Sequence, residues 1–341
     1  MAGRARRRGP GGAVAAILAS VAVAALVTVL ATHRDAAEAN PNSAVIATVP
    51  PLAGASAPDV SVTGLPAPAD AGASGPDLGW LDDGDAPTAA WPTPPADPAP
   101  AVDAAIARAA DDGVRVAAVV VDRSSGRVLV SRDADVSYPA LSLLKIMIAA
   151  DVLTDGWPDP AHLDAVLTPM IATSDDAVAG DLYDAAGGDD LVNRVALRYG
   201  LTGTTPTPDG TYWGNVQVTA ADMTTLLAGV LADPRTAPVI GPAMRASTAI
   251  AADGVDQRFG MRLVPGAGSK QGWGCCLSGE VGLHSIGFTD DRIVVVLTGA
   301  EPDDADLGNQ DGPALQADPG AQAGFAAVDA TVRAALGGPA G

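Results

Sequence analysis

Lysine is scarce in this chain, and where it occurs is informative. Of 20 basic residues only Lys145 and Lys270 are lysine; the rest are arginine. An arginine keeps its proton under all ordinary conditions, whereas a lysine amine can be brought into the titrating range by its surroundings. Lys145 lies in Tyr138-Pro139-Ala140-Leu141-Ser142-Leu143-Leu144-Lys145-Ile146-Met147-Ile148. At helical spacing, positions i and i+3 share a face, which brings the Lys145 amine to the Ser142 hydroxyl. The run beyond Ser142 is apolar nearly all round, the pattern of a helix buried inside a domain. Burial there disfavours the charged amine and pushes its pKa down. A desolvated amine beside a hydroxyl is the setting in which a lysine activates a serine nucleophile. The same residue alone would also read as a core-helix lysine snorkelling to the surface.

The elements that must hold these groups follow in order. Helical composition runs from Ala101 to Ala110. Two β-branched runs, Val114 to Val121 and Arg127 to Ser131, are joined by the turn residues Asp122-Arg123-Ser124-Ser125-Gly126. From the Ser142 helix to about Leu231 the pattern is mostly helical, broken at Gly156-Trp157-Pro158, at Gly187-Gly188 and over Thr202 to Gly214. Strand character returns at Ser269 to Trp273, Gly282 to Phe288 and Arg292 to Thr298, and a closing helix spans about Gly324 to Leu336. The expected fold is mixed α/β (α+β): a five-stranded antiparallel sheet with flanking helices plus a helical subdomain, with a ligand cleft between the two parts.

Residues 101–341 form this folding unit, and the first third of the chain is of another kind. Arg4, Arg6, Arg7 and Arg8 precede an uncharged run from Gly11 to Thr32, long enough for a bilayer, which takes roughly 20 apolar residues. Basic residues before the run and acidic ones after it place the remainder outside the cell. Residues 1–34 are expected to be a signal-anchor through the cytoplasmic membrane, with cleavage near Ala37-Glu38-Ala39 as the alternative. No cysteine follows the run, so lipid attachment at that point is excluded. Residues 35–100, rich in Ala, Pro, Asp, Gly and Ser, read as a disordered, semi-extended linker. Without its first 34 residues the chain carries 15 basic against 40 acidic side chains, which excludes nucleic acid as a partner.

Three motifs now fall into order: Ser142-Leu143-Leu144-Lys145, Ser174-Asp175-Asp176 and Lys270-Gln271-Gly272. With them the chain resembles the penicillin-recognising serine hydrolases, class A β-lactamases most closely, whose marks are S-x-x-K, S-D-N and K-T-G. The resemblance covers about 101–341. It implies that Ser142 attacks a carbonyl to form an acyl-enzyme and that Lys145 takes its proton. Ser174 would relay a proton to the leaving nitrogen, with Lys270 lending positive potential. The backbone N–H groups of Ser142 and Trp273 would form the oxyanion hole, and Gly272 would leave the strand edge bare for substrate. Taken singly, Ser174-Asp175 also reads as a helix N-cap and Lys270 as a strand-end lysine. The substrate implied is a small-molecule β-lactam or a peptidoglycan peptide, handled without cofactor or metal.

The departures from the family pattern bear on chemistry. Asp176 replaces the asparagine, and a carboxylate cannot donate to a substrate carbonyl; it is expected to hold Lys145 or Lys270 protonated. Gln271 replaces the hydroxyl expected to meet a substrate carboxylate. No arginine follows on that strand, and Glu280 lies nearby. The loop Thr202 to Val218 contains no glutamate to activate a deacylating water, and Asp209 is its only acid. The chain is therefore expected to be poor at turning over β-lactams, which leaves open a D,D-carboxypeptidase-like or esterase activity, or a catalytically silent module that binds cell-wall peptide or an envelope partner. Cys275-Cys276 read either as a vicinal disulfide or as two buried thiols. His284, without a G-x-S-x-G elbow, reads as a strand histidine.

Overall fold

The computed structural model describes residues 91–155, 160–207, 212–275, 279–302 and 312–338, with side chains in helix 160–172 from Leu163 onward. The run Gly11 to Thr32, the linker to residue 90, and Asp209 lie outside these. Among the described residues no helix is long and apolar enough to cross a membrane.

The core is an antiparallel sheet of β1 (Val114–Asp122), β2 (Val128–Arg132), β5 (Gly268–Cys275), β6 (Val281–Phe288) and β7 (Arg292–Ala300), in the order β2-β1-β7-β6-β5. Asp122 makes the expected hairpin by accepting from the Ser124 and Ser125 hydroxyls and the Ser125 N–H. Strands β6 and β7 are buried along their whole length because both faces are covered. One face carries α1 (Ala99–Asp111) and the closing helix α9 (Pro319–Leu336), packed through Val102, Val328 and Val332. The other carries the helical subdomain, whose central helix α2 (Leu144–Thr154) is buried on every side from Leu144 to Val152. Around it stand α3 (Pro160–Ala172), α4 (Asp176–Ala185), α5 (Asp189–Tyr199), α6 (Ala220–Ala232) and α7 (Ala237–Arg245). Burial of α2 includes Asp151, which is satisfied by both arms of the Arg194 guanidinium at 3.1 and 2.6 Å.

Two features depart from the expectation. The folded unit begins at Trp91 at the latest, not at residue 101. The Trp91 ring lies 5.9 Å from the Arg333 guanidinium, Arg292 donates to the Pro95 carbonyl, and a side chain at Gly338 would strike the indole. A second, two-stranded sheet also forms: β3 (Ser137–Pro139) pairs with β4 (Gln217–Thr219). It ties the entry to the Ser142 turn to the exit of the loop 202–216, and the Ala140 N–H extends the tie to the Val216 carbonyl at 2.7 Å.

Candidate active site

Ser142 sits in a 3₁₀ turn, Leu141–Leu143, that runs directly into α2. In a 3₁₀ turn residues i and i+3 eclipse, so Lys145 stands over Ser142 and its Nζ donates to Oγ at 2.6 Å. Leu141 enters the turn at φ 49°, a conformation that costs a bulky residue about 1–3 kcal/mol and persists where packing imposes it. The packing is visible: Leu141 fills space over Gly274 and Gly282, which are paired across β5 and β6. His284 holds the same segment from beneath. The Thr298 N–H donates to its Nδ1, which leaves Nε2–H to donate to the Pro139 carbonyl at 2.9 Å. It is a strand histidine, neutral, and held down to about 4 by complete burial.

Ser174 arrives from the junction of α3 and α4. Its φ of 58° turns the chain so that its hydroxyl donates to Ser142 Oγ at 2.9 Å. Asp175 is the N-cap of α4, accepting from the Ala177 and Val178 N–H groups. Asp176 follows at the first helical position, half exposed, and takes Lys145 rather than Lys270: Oδ1 to Nζ is 2.5 Å. Lys270 on β5 is fully buried and donates to Ser174 Oγ at 2.9 Å and to its neighbour's carbonyl at 2.8 Å. One unbroken line of hydrogen bonds therefore runs Asp176–Lys145–Ser142–Ser174–Lys270.

Strand alternation decides what the rest of the third motif can do. Lys270, Gly272 and Gly274 face the Ser142 turn; a Cβ on Gly272 would lie 3.4 Å from Leu141, Leu143 and the Ser142 nitrogen. Gly272 thus lies close against the Ser142 turn. Gln271 points the other way. It is fully buried and its amide reaches the Phe259 carbonyl at 3.4 Å, so it does not replace the hydroxyl expected to meet a substrate carboxylate. The Trp273 indole N–H donates to Asp253, and the Lys270 Nζ lies over its ring, 5.5 Å from the ring centre. Glu280 is held by the Arg115 guanidinium.

The two amines differ in setting. Burial pulls Lys145 below the ordinary lysine range, and Asp176 pulls it back up. Burial pulls Lys270 much further down, and the charge on Lys145 adds to the effect. Lys270 stands two hydrogen bonds from Ser142, through Ser174. One further residue, absent from the motif reading, belongs to the site: the Trp213 ring lies over the Lys145 ammonium, 4.6 Å from Nζ to the ring centre. Its only sequence signal is an aromatic pair, Tyr212-Trp213, in a loop otherwise short of aromatics. Among the described residues no His, Cys, Asp and Glu cluster could hold a metal ion. Cys275 is buried at the end of β5 and disulfide-bonded; Cys276 lies outside the described residues.

No family model matches the sequence. Over 214 residues it is 31% identical to "Putative lipoprotein LppW" of Mycobacterium tuberculosis, across 58% of this chain. The match spans 66% of that relative's length, a little under two thirds. Among solved structures, a class A β-lactamase from Mycobacterium abscessus superposes with TM-score 0.51 at 17% identity, over 69% of this chain and 98% of that one. A β-lactamase from Xanthomonas campestris pv. campestris gives 0.51 at 17%, over 71% and 98%. An ancestral class A β-lactamase gives 0.52 at 18%, over 69% and 98%. At such identities the likeness is one of architecture. The antiparallel sheet between a terminal helix pair and a helical subdomain makes this chain a divergent example of the β-lactamase-like fold, the fold of the class A β-lactamases.

Proposed function

We propose that the chain is an exported serine hydrolase of the β-lactamase/penicillin-binding type, whose Ser142 is acylated by a β-lactam or a cell-wall acyl-amide. The observation that supports this reading is the line of hydrogen bonds joining Ser142 to Lys145 on one side and, through Ser174, to Lys270 on the other. In the proposed step Ser142 Oγ bonds to the carbonyl carbon and its proton passes to an amine of the site. The carbonyl–nitrogen bond then breaks, and the leaving nitrogen takes a proton from Ser174, which is resupplied from Lys270. The Ser142 and Trp273 N–H groups would hold the oxyanion. The expected location is the outer face of the cytoplasmic membrane, tethered through the run Gly11 to Thr32; the name of the mycobacterial relative agrees with an envelope location.

Incubation of the full chain with a fluorescent penicillin and with an activated ester, followed by peptide mass spectrometry, should find an adduct on Ser142 that is lost in Ser142→Ala. Absence of an adduct with both reagents overturns the reading. Asp176 motivates a second one. A carboxylate on Lys145 keeps the amine protonated, which suits a weakly active module that binds cell-wall peptide. Binding to isolated peptidoglycan that survives Ser142→Ala would favour it.

A further inference from the structure

A serine acyl-enzyme is emptied when water adds to the ester carbonyl. The bond to the serine oxygen breaks, the carboxylic acid leaves, and one water proton returns to the serine. The water needs a place beside the ester and a group to take its proton. Around Lys145 those directions are already filled. Its ammonium donates to Ser142 Oγ and to Asp176 Oδ1, and a third side is covered by the Trp213 ring. Lys145 has no exposed surface.

The ring is held in place. Trp213 opens a 3₁₀ turn, Trp213–Asn215, and stacks on Tyr212 with 5.0 Å between ring centres. Gly180 on α4 lies beside the indole, where a Cβ would meet Nε1 at an ordinary contact distance of 3.8 Å. The loop is pinned at both ends. Asp222 accepts from the Thr202 and Gly203 N–H groups and the Thr204 hydroxyl, Thr205 pairs with Gln217, and β4 joins β3. An indole face accepts no proton and gives water no directed hydrogen bond.

We propose that Trp213 screens an acyl group on Ser142 from water, so that the acyl-enzyme, once formed, is long-lived. The inference rests on acylation of Ser142 as proposed above. It makes Trp213 a positioning residue that sets how the acyl group leaves, not whether it arrives.

The test is a chase. The full chain and its Trp213→Phe and Trp213→Gln variants are labelled with a fluorescent penicillin, excess label is removed, and loss of the adduct is followed by intact mass. Label uptake on Ser142 itself reports an assembled site. The Gln adduct should decay at least about tenfold faster than the parent's, and the Phe adduct within about threefold of it, since an aromatic plate is restored. A role in folding alone would slow both formation and decay, so a faster decay carries the proposal. A Gln adduct that decays at the parent's rate or more slowly overturns it, as does a parent adduct that is lost within seconds; in both cases acylation of Ser142 stands. A parent that takes no label from penicillin or activated ester overturns both readings together.

Discussion

Asp176 Oδ1 lies 2.5 Å from Lys145 Nζ, as near to the amine as the Ser142 oxygen that the amine would deprotonate, at 2.6 Å. The two oxygens make opposite demands. Ser142 needs a neutral amine to receive its proton, and the carboxylate stabilises the charged one. Burial, the larger influence on Lys145, acts in the serine's favour. Under the proposed mechanism Ser142 is thus balanced between an activated and a silenced state, and the balance hangs on one carboxylate where the resembled motif has an amide.

Asp176→Asn removes that carboxylate and keeps the shape. With burial then opposed only by the more distant Asp175 and Asp253, the Lys145 pKa falls further and a larger fraction of the amine is neutral. The second-order rate of Ser142 labelling should rise by about 10- to 100-fold, the usual range for restoring a competent base. The rise of rate with pH should begin at a lower pH than in the parent. Labelling rates across pH 6 to 9 on both proteins check this, and a slower variant at every pH contradicts it.

Ser174 and Lys270 would act as one unit, because Ser174 is the hydrogen-bonded link between Ser142 and Lys270. Ser174→Ala cuts the hydrogen-bonded path and Lys270→Arg fills its end with a cation that never deprotonates. Each single change should slow labelling by about 10²- to 10⁴-fold. The double change should cost little more than either one, because groups acting in series are not additive. Additive losses would assign the two residues separate tasks.

Much of this site was legible before any coordinates, and the exceptions have physical causes. Ser142 and Lys145 announce themselves because a helical turn is a local rule, and β1 and β7 because β-branched runs bounded by turn residues are another. Gln271 departs from the motif expectation, and the signal for its place is in the sequence. In a strand, neighbours of opposite parity face opposite sides, so a Lys270 aimed at Ser142 sends Gln271 to Phe259. Trp213 and the β3–β4 ribbon carried no such signal. Three-residue strands have too little period to detect, and the meeting of Trp213 with Lys145 is a contact between residues far apart in sequence. Trp91 was assigned to the linker on composition, yet its indole lies against α9, because one large apolar side chain can anchor a proline-rich segment.

His284 should make the fold acid-sensitive. Its pKa, ordinarily 6.5, is held down to about 4 by burial of the ring, against the opposing pull of the Pro139 carbonyl. A depressed folded pKa contributes stability in full above pH 6.5, and that contribution is lost as the pH falls from 6.5 through 4. The loss is on the order of 3 kcal/mol. Asp329 works in the opposite sense: burial raises it to about 6, so its contribution fades as the pH rises from 3.8 through 6. His284→Gln isolates the first effect, since an amide can accept from Thr298 and donate to Pro139 without titrating. Urea unfolding at pH 7, 5.5 and 4.5 should show a smaller loss of stability on acidification in the variant, and equal losses would refute the assignment.

The glycine pair beneath the Ser142 turn gives a last test, of how the strained turn is supported. Gly274 and Gly282 face each other across β5 and β6, and a Cβ on either would come within 2.9 and 2.8 Å of the Leu141 methyl groups. Leu141 is buried and holds the left-handed entry to the Ser142 turn. An added methyl must therefore push the turn as well as the side chain. Gly282→Ala should cost about 1–3 kcal/mol by overpacking, and it should slow Ser142 labelling in the fraction that remains folded. Gly241→Ala within α7 is the counterpart. Its Cβ meets only Leu231 and Phe288 at ordinary contact distances, so helix propensity should leave it neutral or more stable by about 0.5–1 kcal/mol. Thermal midpoints and labelling rates of the two variants separate the cases: a Gly282→Ala protein that is as stable and as reactive as the parent would mean that the turn holds Ser142 without help from the sheet.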